Sequence, residues 1–189
     1  MKTLILNGSP RPNGDTASLV KILAEKLEGE CRIIDCYRAD ISPCVDCRAC
    51  RKKSGCAIKD DMQDIYRYAE ECDNVILASP IYFSELTGKL LDVASRFQTY
   101  FSAKFFRGEK PEIRPKRGAV ILVGGGNGKP DNAYSTAVCI LKLINVQEIY
   151  PLVCSHNTDN VPAIQDIGAV EKIKALAEFL NGADLQRRP

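Results

Sequence analysis

Tryptophan is absent from this 189-residue chain and histidine occurs once, at His156. Chemistry built on a histidine pair, the usual zinc-protease arrangement included, is therefore excluded within one subunit. Neither sign of charge is in excess: 26 Lys and Arg against 24 Asp and Glu leave a net +2, which offers no global electrostatic argument for nucleic acid. Long apolar runs are missing too. Leu4-Ile5-Leu6 is cut off by Asn7-Gly8, too soon for a signal peptide or a spanning helix. The expectation is a cytoplasmic protein that partners neither membrane nor nucleic acid. Cysteine runs against this scarcity, with nine residues. The odd count rules out a complete intramolecular disulfide framework, so reduced thiols or metal ligands fit better. A content of 45% hydrophobic and 26% charged residues suits a globular chain, and its length suits one domain over 1–189.

Hydrophobic periodicity alternates between strand and helix. Thr3 to Leu6 reads as a strand, a loop follows, and Leu19, Val20, Leu23 and Leu27 recur at helical spacing. Cys31 to Tyr37 is a second strand, followed by an irregular cysteine-rich stretch and a helix carrying Met62, Ile65, Tyr66 and Ala69. Val75 to Ala78 is the third strand. Leu86, Leu90, Val93, Phe97 and Phe101 mark one stripe of a long helix. Ala119 to Val123 and a segment around Glu148 to Val153 give strands four and five, separated by a helix from about Asn132. A last helix carries Ile167, Val170, Ile173, Leu176 and Leu180. The expected fold is therefore α/β, a doubly wound five-stranded parallel sheet with right-handed crossovers, in the order 2-1-3-4-5. Ligands of such sheets sit at the carboxyl ends of the strands where the order reverses, so the loops after strands one, three and four should carry function.

The first of these loops, Gly8-Ser9-Pro10-Arg11-Pro12-Asn13-Gly14-Asp15-Thr16-Ala17-Ser18, runs straight into a helix. Free N–H groups at a helix start favour an anion, Ser9, Thr16 and Ser18 offer hydroxyls, and Arg11 adds charge. The bland alternative is a helix capped by Asp15 or Thr16. A triphosphate loop is excluded because five residues separate Gly8 from Gly14 and Asp15 stands where lysine is needed. Gly124-Gly125-Gly126 fits neither a triphosphate loop nor a dinucleotide fingerprint. It suits a flat ring lying close to backbone. Ser79-Pro80-Ile81-Tyr82-Phe83-Ser84 offers backbone N–H groups and aromatic surface, although, taken alone, Tyr82 and Phe83 read better as aromatics covering core.

Taken together, G-S-P-R with G-x-T, then S-P-I-Y-F, then V-G-G-G resemble the NAD(P)H-dependent FMN reductase and flavodoxin-like superfamily over nearly the whole chain. The resemblance implies a flavodoxin-like fold. It also implies an FMN phosphate held by Ser9, Arg11, Asn13, Thr16, Ala17 and Ser18. Pro80, Ile81, Tyr82, Phe83 and Ser84, with Gly124, Gly125 and Gly126, would line the isoalloxazine. Two positions depart from the pattern: Gly-Asp-Thr replaces the Gly-Asn-Thr of many relatives, which leaves the role of Asp15 open, and Phe83-Ser84 replaces Phe-Gly.

Cys44, Cys47, Cys50 and Cys56 fall within one short segment after strand two. Their C-x2-C-x2-C start can wrap one face of a cubane with a fourth ligand arriving later, whereas structural zinc usually gathers two more widely separated pairs. The pattern resembles the compact motif of the iron-sulfur flavoprotein branch of the same superfamily, which implies a [4Fe–4S] cluster on these four residues. Zinc, free thiols and disulfides remain alternatives. Cys31, Cys36, Cys72, Cys139 and Cys154 read as small buried hydrophobes. The charged loop from Lys104 to Arg117 reads as solvated or as a subunit contact, and His156 as a surface residue.

The functional expectation is an oxidoreductase moving electrons through FMN and the cluster, with NAD(P)H as a candidate donor and a small molecule or protein as acceptor. No catalytic side chain is required of the protein, because the cofactors supply the redox chemistry. A cluster-free NAD(P)H-dependent FMN or quinone reductase and a non-enzymatic electron carrier are the alternatives. Similar proteins imply a homodimer or homotetramer.

Overall fold

In the computed structural model, which describes residues 1–182, the apolar run after Met1 forms a strand with almost no solvent face. The last seven positions of the expected 1–189 domain lie outside the described residues. In chain order the elements are β1 (Lys2–Asn7), α1 (Asp15–Ala24), β2 (Glu30–Asp35), α2 (Ala49–Lys52), α3 (Met62–Glu71), β3 (Asn74–Pro80), α4 (Gly88–Ser95), α5 (Gln98–Phe106), β4 (Lys116–Val123), α6 (Asp131–Leu143), β5 (Val146–Ile149), β6 (Val153–Ser155) and α7 (Ile167–Asn181). A 3-10 turn, Ala163–Gln165, precedes α7.

All strand pairs are parallel and the order is β2-β1-β3-β4-β5, with β6 also on β4. Because side chains alternate along a strand, Leu4, Leu6, Val75, Leu77, Val120 and Leu122 pack on one face with α3, α4, α5 and α6. Ile5, Ile76, Ala78, Ala119 and Ile121 pack on the other with α1 and α7. Helices on both faces explain why β1, β3 and β4 are apolar without alternation.

Three elements differ from the sequence pattern. The expected fifth strand is two short strands, because Pro151, which has no N–H to give a ladder, lies between β5 and β6. The second strand stops at Asp35 rather than Tyr37, where the Asp35 carboxylate accepts from the Tyr37 N–H at 3.1 Å and turns the chain. The long helix is broken into α4 and α5 at Arg96-Phe97. At the break the Tyr66 hydroxyl donates to the Arg96 carbonyl at 2.7 Å.

That break aims the Arg96 side chain inward. Its guanidinium, 0% exposed, donates to Asp60 at 2.6 and 3.2 Å, to the Ser42 carbonyl at 2.8 Å and to the Ile58 carbonyl at 3.3 Å. One side chain thus clamps both ends of the cysteine segment to the helical layer. Burial works against both charges. For Asp60 the Arg96 hydrogen bonds and the N–H groups of Ser42 and Met62 outweigh it, holding the carboxyl below its usual range. For Arg96 the Asp60 hydrogen bonds outweigh it, so the guanidinium stays charged.

Removing one member of a buried pair leaves the other uncompensated, so Asp60→Asn should lower unfolding free energy by about 3–5 kcal/mol in urea titrations. A carboxyl depressed on folding contributes stability above its unfolded pKa, near ~4, and loses it as pH falls through the folded value. The difference between wild type and Asp60→Asn should accordingly be full at neutral pH and shrink below about pH 4. A gap that is independent of pH would show that the charge of Asp60 is not what matters.

Candidate functional site

The loops after β1, β3 and β4 meet in one crevice at the carboxyl edge of the sheet. It encloses about 250 Å3 and is lined by Ser9, Arg11, Thr16, Pro80, Ile81, Tyr82 and Gly125 from the three expected loops. A groove of about 960 Å3 lies at the opposite, amino edge, between Lys2, Glu71, Asp73, Glu112 and their neighbours. Its size is not an argument, because ligands of doubly wound sheets collect at the carboxyl ends.

On the first loop, Gly14 stands at the N-cap of α1 and no side chain caps the helix. The capping alternative therefore fails, and the helix start faces the crevice with its N–H groups uncapped. The Ser9 hydroxyl braces the turn, donating to the Arg11 carbonyl at 3.0 Å and accepting from the Arg11 N–H at 3.3 Å. Arg11 is largely exposed, with its guanidinium 4.0 Å from the Asp15 carboxylate. Asp15 has a structural partner: its carboxylate accepts from the Ala163 N–H at 2.9 Å and ties the helix start to the 3-10 turn. Asn13, Ala17 and Ser18 do not line the crevice, and the Ser18 hydroxyl donates to the Gly14 carbonyl at 3.1 Å.

On the second loop the Ile81 N–H donates to the Val123 carbonyl at 2.8 Å, and Tyr82 and Glu85 exchange backbone hydrogen bonds at 2.9 Å. Phe83 and Ser84 form the tip of this tight turn, both left-handed at φ 53° and 61°. The α6 start holds it, with the Ala133 N–H donating to the Ser84 carbonyl at 3.1 Å and Thr136 donating to Glu85 at 2.9 Å. Tyr82 lines the crevice. Phe83, wholly exposed, and Ser84 stand outside it.

On the third loop only Gly125 lines the crevice, where a Cβ would fall 2.6 Å from both carboxylate oxygens of Asp159. Gly124 and Gly126 instead receive the next loop: Thr158 and Asn157 donate backbone N–H groups to their carbonyls at 3.1 and 3.2 Å. Thr158 and Asp159 are lining residues that the sequence reading missed. Nothing in their local pattern marks them; only the rule that every strand end of a parallel sheet points to this edge could have found them. His156 is half-buried rather than superficial, 3.3 Å from the Cys154 sulfur, with Nδ1 unpartnered.

Cys44, Cys47, Cys50 and Cys56 all line a second, narrower recess between their own segment and α5, with room for about one water at about 20 Å3. All four are free thiols. Among the described residues no three His, Cys, Asp or Glu side chains are gathered as a metal-holding group. The segment is strained, with Asp46 and Arg48 left-handed at φ 46° and 61°. It docks through Arg51, 4.2 Å over the Phe106 ring, and through the Cys50 sulfur, 3.2 Å from the Ser102 hydroxyl. The donor set suits a thiolate-held group, and the recess must widen to admit one.

The remaining expectations divide. Cys36 and Cys72 are buried, and burial pushes their thiols up to about 12 and about 11, which leaves them inert. Cys31 and Cys154 are half-buried, and Cys139 is exposed on α6 rather than buried. The charged loop is not simply solvated. Lys116 and Arg117 are buried, Arg117 against Glu148, and Arg107 is withdrawn against the Cys50 carbonyl. These residues cap strand β4 and the cysteine segment, which a one-dimensional charge run does not reveal.

An NADPH-dependent FMN reductase family model matches residues 1–158, and the chain belongs to that family. Within it the chain falls in the iron-sulfur flavoprotein branch. It is 31% identical over 145 residues to an iron-sulfur flavoprotein of Archaeoglobus fulgidus, covering 75% of this chain and 63% of that one. It is 32% identical over 142 residues to iron-sulfur flavoprotein MJ0731 of Methanocaldococcus jannaschii, covering 72% and 68%. The chain spans roughly half to two-thirds of the length of such curated relatives. Among solved structures it superimposes on an NAD(P)H:quinone oxidoreductase from Methanothermobacter marburgensis with TM-score 0.73 at 16% identity, covering 97% of this chain and 98% of the other. An FMN-dependent NADH-azoreductase from Bacillus anthracis gives TM-score 0.69 at 15% identity, covering 96% and 100%. These structures establish the flavodoxin-like fold. No helix among the described residues is long and apolar enough to cross a membrane.

A left-handed non-glycine residue costs roughly 1–2 kcal/mol, partly offset by the greater unfolded-state entropy of glycine. Ser84→Gly should therefore stabilise the protein by roughly 0.5–1 kcal/mol in urea unfolding. No gain, or a loss, would mean that the turn is not held in this conformation in solution.

Proposed function

We propose that this protein is an FMN-dependent oxidoreductase that passes electrons between its flavin and a [4Fe–4S] cluster held by Cys44, Cys47, Cys50 and Cys56. The observation that carries the reading is the single crevice formed by the three expected loops, with the uncapped α1 start on one wall and Gly125 and Tyr82 on the others. Bound FMN supplies hydride acceptance and electron release in pairs or singly, and a cubane exchanges electrons one at a time.

The chain's own residues would position these groups. The α1 N–H groups and Thr16 would take the phosphate, with Arg11 swinging across it. Asp15 would hold the helix start in place through Ala163 and leave the N–H groups open. Asn13, Ala17 and Ser18 would support the phosphate loop. Pro80, Ile81, Tyr82 and Gly125 would border the ring, with Gly124 and Gly126 shaping the loop behind it. Phe83 and Ser84 would meet a ring only at the lip of the crevice, or across a homodimer or homotetramer contact. NAD(P)H and a small molecule or partner protein complete the electron path, and a cytoplasmic setting suits the reduced thiols.

The narrow recess and the ungathered sulfurs favour one second reading, a cluster-free NAD(P)H-dependent FMN or quinone reductase. Anaerobic purification with flavin, iron and sulfide assays separates the two. The first reading expects FMN with four irons and four sulfides per chain, and flavin alone selects the second. Arg11→Ala should weaken FMN binding on the order of tenfold while changing riboflavin little; equal losses would remove Arg11 from the phosphate. Cys50→Ala should abolish iron and sulfide uptake with FMN affinity kept within about threefold, since it serves a different loop. Full uptake by that variant would overturn the ligand assignment.

A further inference from the structure

Among the described residues, three buried side-chain nitrogens lack any partner, and two of them are guanidinium Nε atoms, those of Arg96 and Arg107. Both arginines adjoin the cysteine segment. Arg96 lines the recess that holds the four sulfurs. Arg107, with its side chain only 8% exposed, donates Nη1 to the Cys50 carbonyl and Nη2 to Glu109 at 2.6 Å. Anchoring the segment accounts for the terminal nitrogens. It does not account for a charged group left buried with a donor unspent.

The two cations are not equivalent. Arg96 faces a carboxylate whose side chain is only 8% exposed, so the pair is nearly neutral as a unit. Arg107 lies outside the recess lining and reaches it through the Cys50 carbonyl; it faces Glu109, whose side chain is half exposed, so water and salt screen the counter-charge and leave this guanidinium less neutralised than Arg96. We propose that Arg107 is a positioning residue that raises the reduction potential of the cluster on Cys44, Cys47, Cys50 and Cys56, while Arg96 fixes the segment on which that cluster is held. This inference rests on the cluster reading above.

The direction follows from charge. Four thiolates make a bound cluster anionic, and one added electron makes it more so, with no bond formed or broken. A fixed cation and its N–H donors therefore favour the reduced form over the oxidised one, which is how hydrogen bonds and nearby charge tune such centres. Arginine suits the task because its charge does not titrate.

The test is a dithionite titration of anaerobically reconstituted wild type, Arg107→Gln, Arg107→Lys and Glu109→Gln, each assayed for iron and sulfide and followed by the cluster's visible absorption or its low-temperature paramagnetic signal. Arg107→Gln should shift the reduced-to-oxidised ratio at fixed potential about tenfold toward the oxidised form, about 59 mV for one electron. Arg107→Lys, which keeps the charge, should recover most of that shift, an outcome that a merely structural role for Arg107 would not produce, and Glu109→Gln should move the ratio the other way. Wild type that takes up no iron and sulfide defeats the cluster reading and this inference with it. Wild type and variants that load equally and share one potential overturn the role of Arg107 alone. If Arg107→Gln and Arg107→Lys both fail to load while Glu109→Gln loads, Arg107 holds the segment and does not tune the cluster, and the proposal is overturned.

Discussion

The site depends on one hydrogen bond. The Gly8 N–H donates to the Ala78 carbonyl at 2.8 Å, the last rung between β1 and β3. Beyond it the two chains must leave toward opposite faces of the sheet, one into α1 and the other toward α4, and a crevice opens where neither can fill the space. The rung is protected on both sides. The Thr87 hydroxyl donates to the Gly8 carbonyl at 2.8 Å, and a Cβ at position 8 would meet that hydroxyl at 2.7 Å and the Leu90 Cβ at 2.9 Å. Glycine is required there by close approach, not by a left-handed backbone. The loops after β3 and β4 then inherit their places from the same register, through Ile81 on Val123 and Gly124 on Ser155.

A second centre would be inconsistent with this economy if it competed for the same loops, and it does not. The cysteine segment starts from the edge strand β2 and returns to α3, so it is held from the helical layer and not by the sheet. Arg96 is the means. Its bonds to Ser42, Ile58 and Asp60 close a segment that holds one short helix, α2, between irregular stretches with left-handed residues at Asp46 and Arg48. Such a buried pair contributes little net stability against an apolar replacement, and its value lies in fixing one arrangement. The crevice and the thiol recess can therefore vary independently.

How far the sequence disclosed this follows from the range of each interaction. Strand alternation, helix stripes and the three loops are local signals; they gave the sheet order and pointed to the loops that meet in the crevice. The break at Arg96 is invisible locally, since Leu90, Val93, Phe97 and Tyr100 keep one helical stripe straight through it and all are buried together. What interrupts the helix is a hydrogen bond from Tyr66 and a carboxylate at Asp60, both on other elements. Asp15 shows the same limit: it looks like a cap and instead holds Ala163, 148 positions away. Thr158 and Asp159 reach the crevice only because β6 ends beside β4. Pro151 was legible, and the split of the last strand could have been read from it.

The crevice is uneven in a way that bears on what it binds. Its helix-start wall is rigid, since Gly14, Ser9 and Asp15 are each tied to backbone, and that stiffness suits a group recognised by fixed N–H directions. Two carboxylates, Asp15 and Asp159, flank it against one exposed guanidinium, that of Arg11. Net positive charge therefore cannot be what attracts an anion. Oriented N–H dipoles must do so, and these act at short range and discriminate by shape more than by charge. The opposite wall is a strained two-residue turn held by α6, with Tyr82 inside and Phe83 in solvent. An exposed aromatic on a strained tip gains nothing within one chain, whereas a ring or a second subunit laid over the lip would bury it. The helix-start wall is thus complete in the single chain, and the turn wall is the part that a bound or neighbouring molecule must finish.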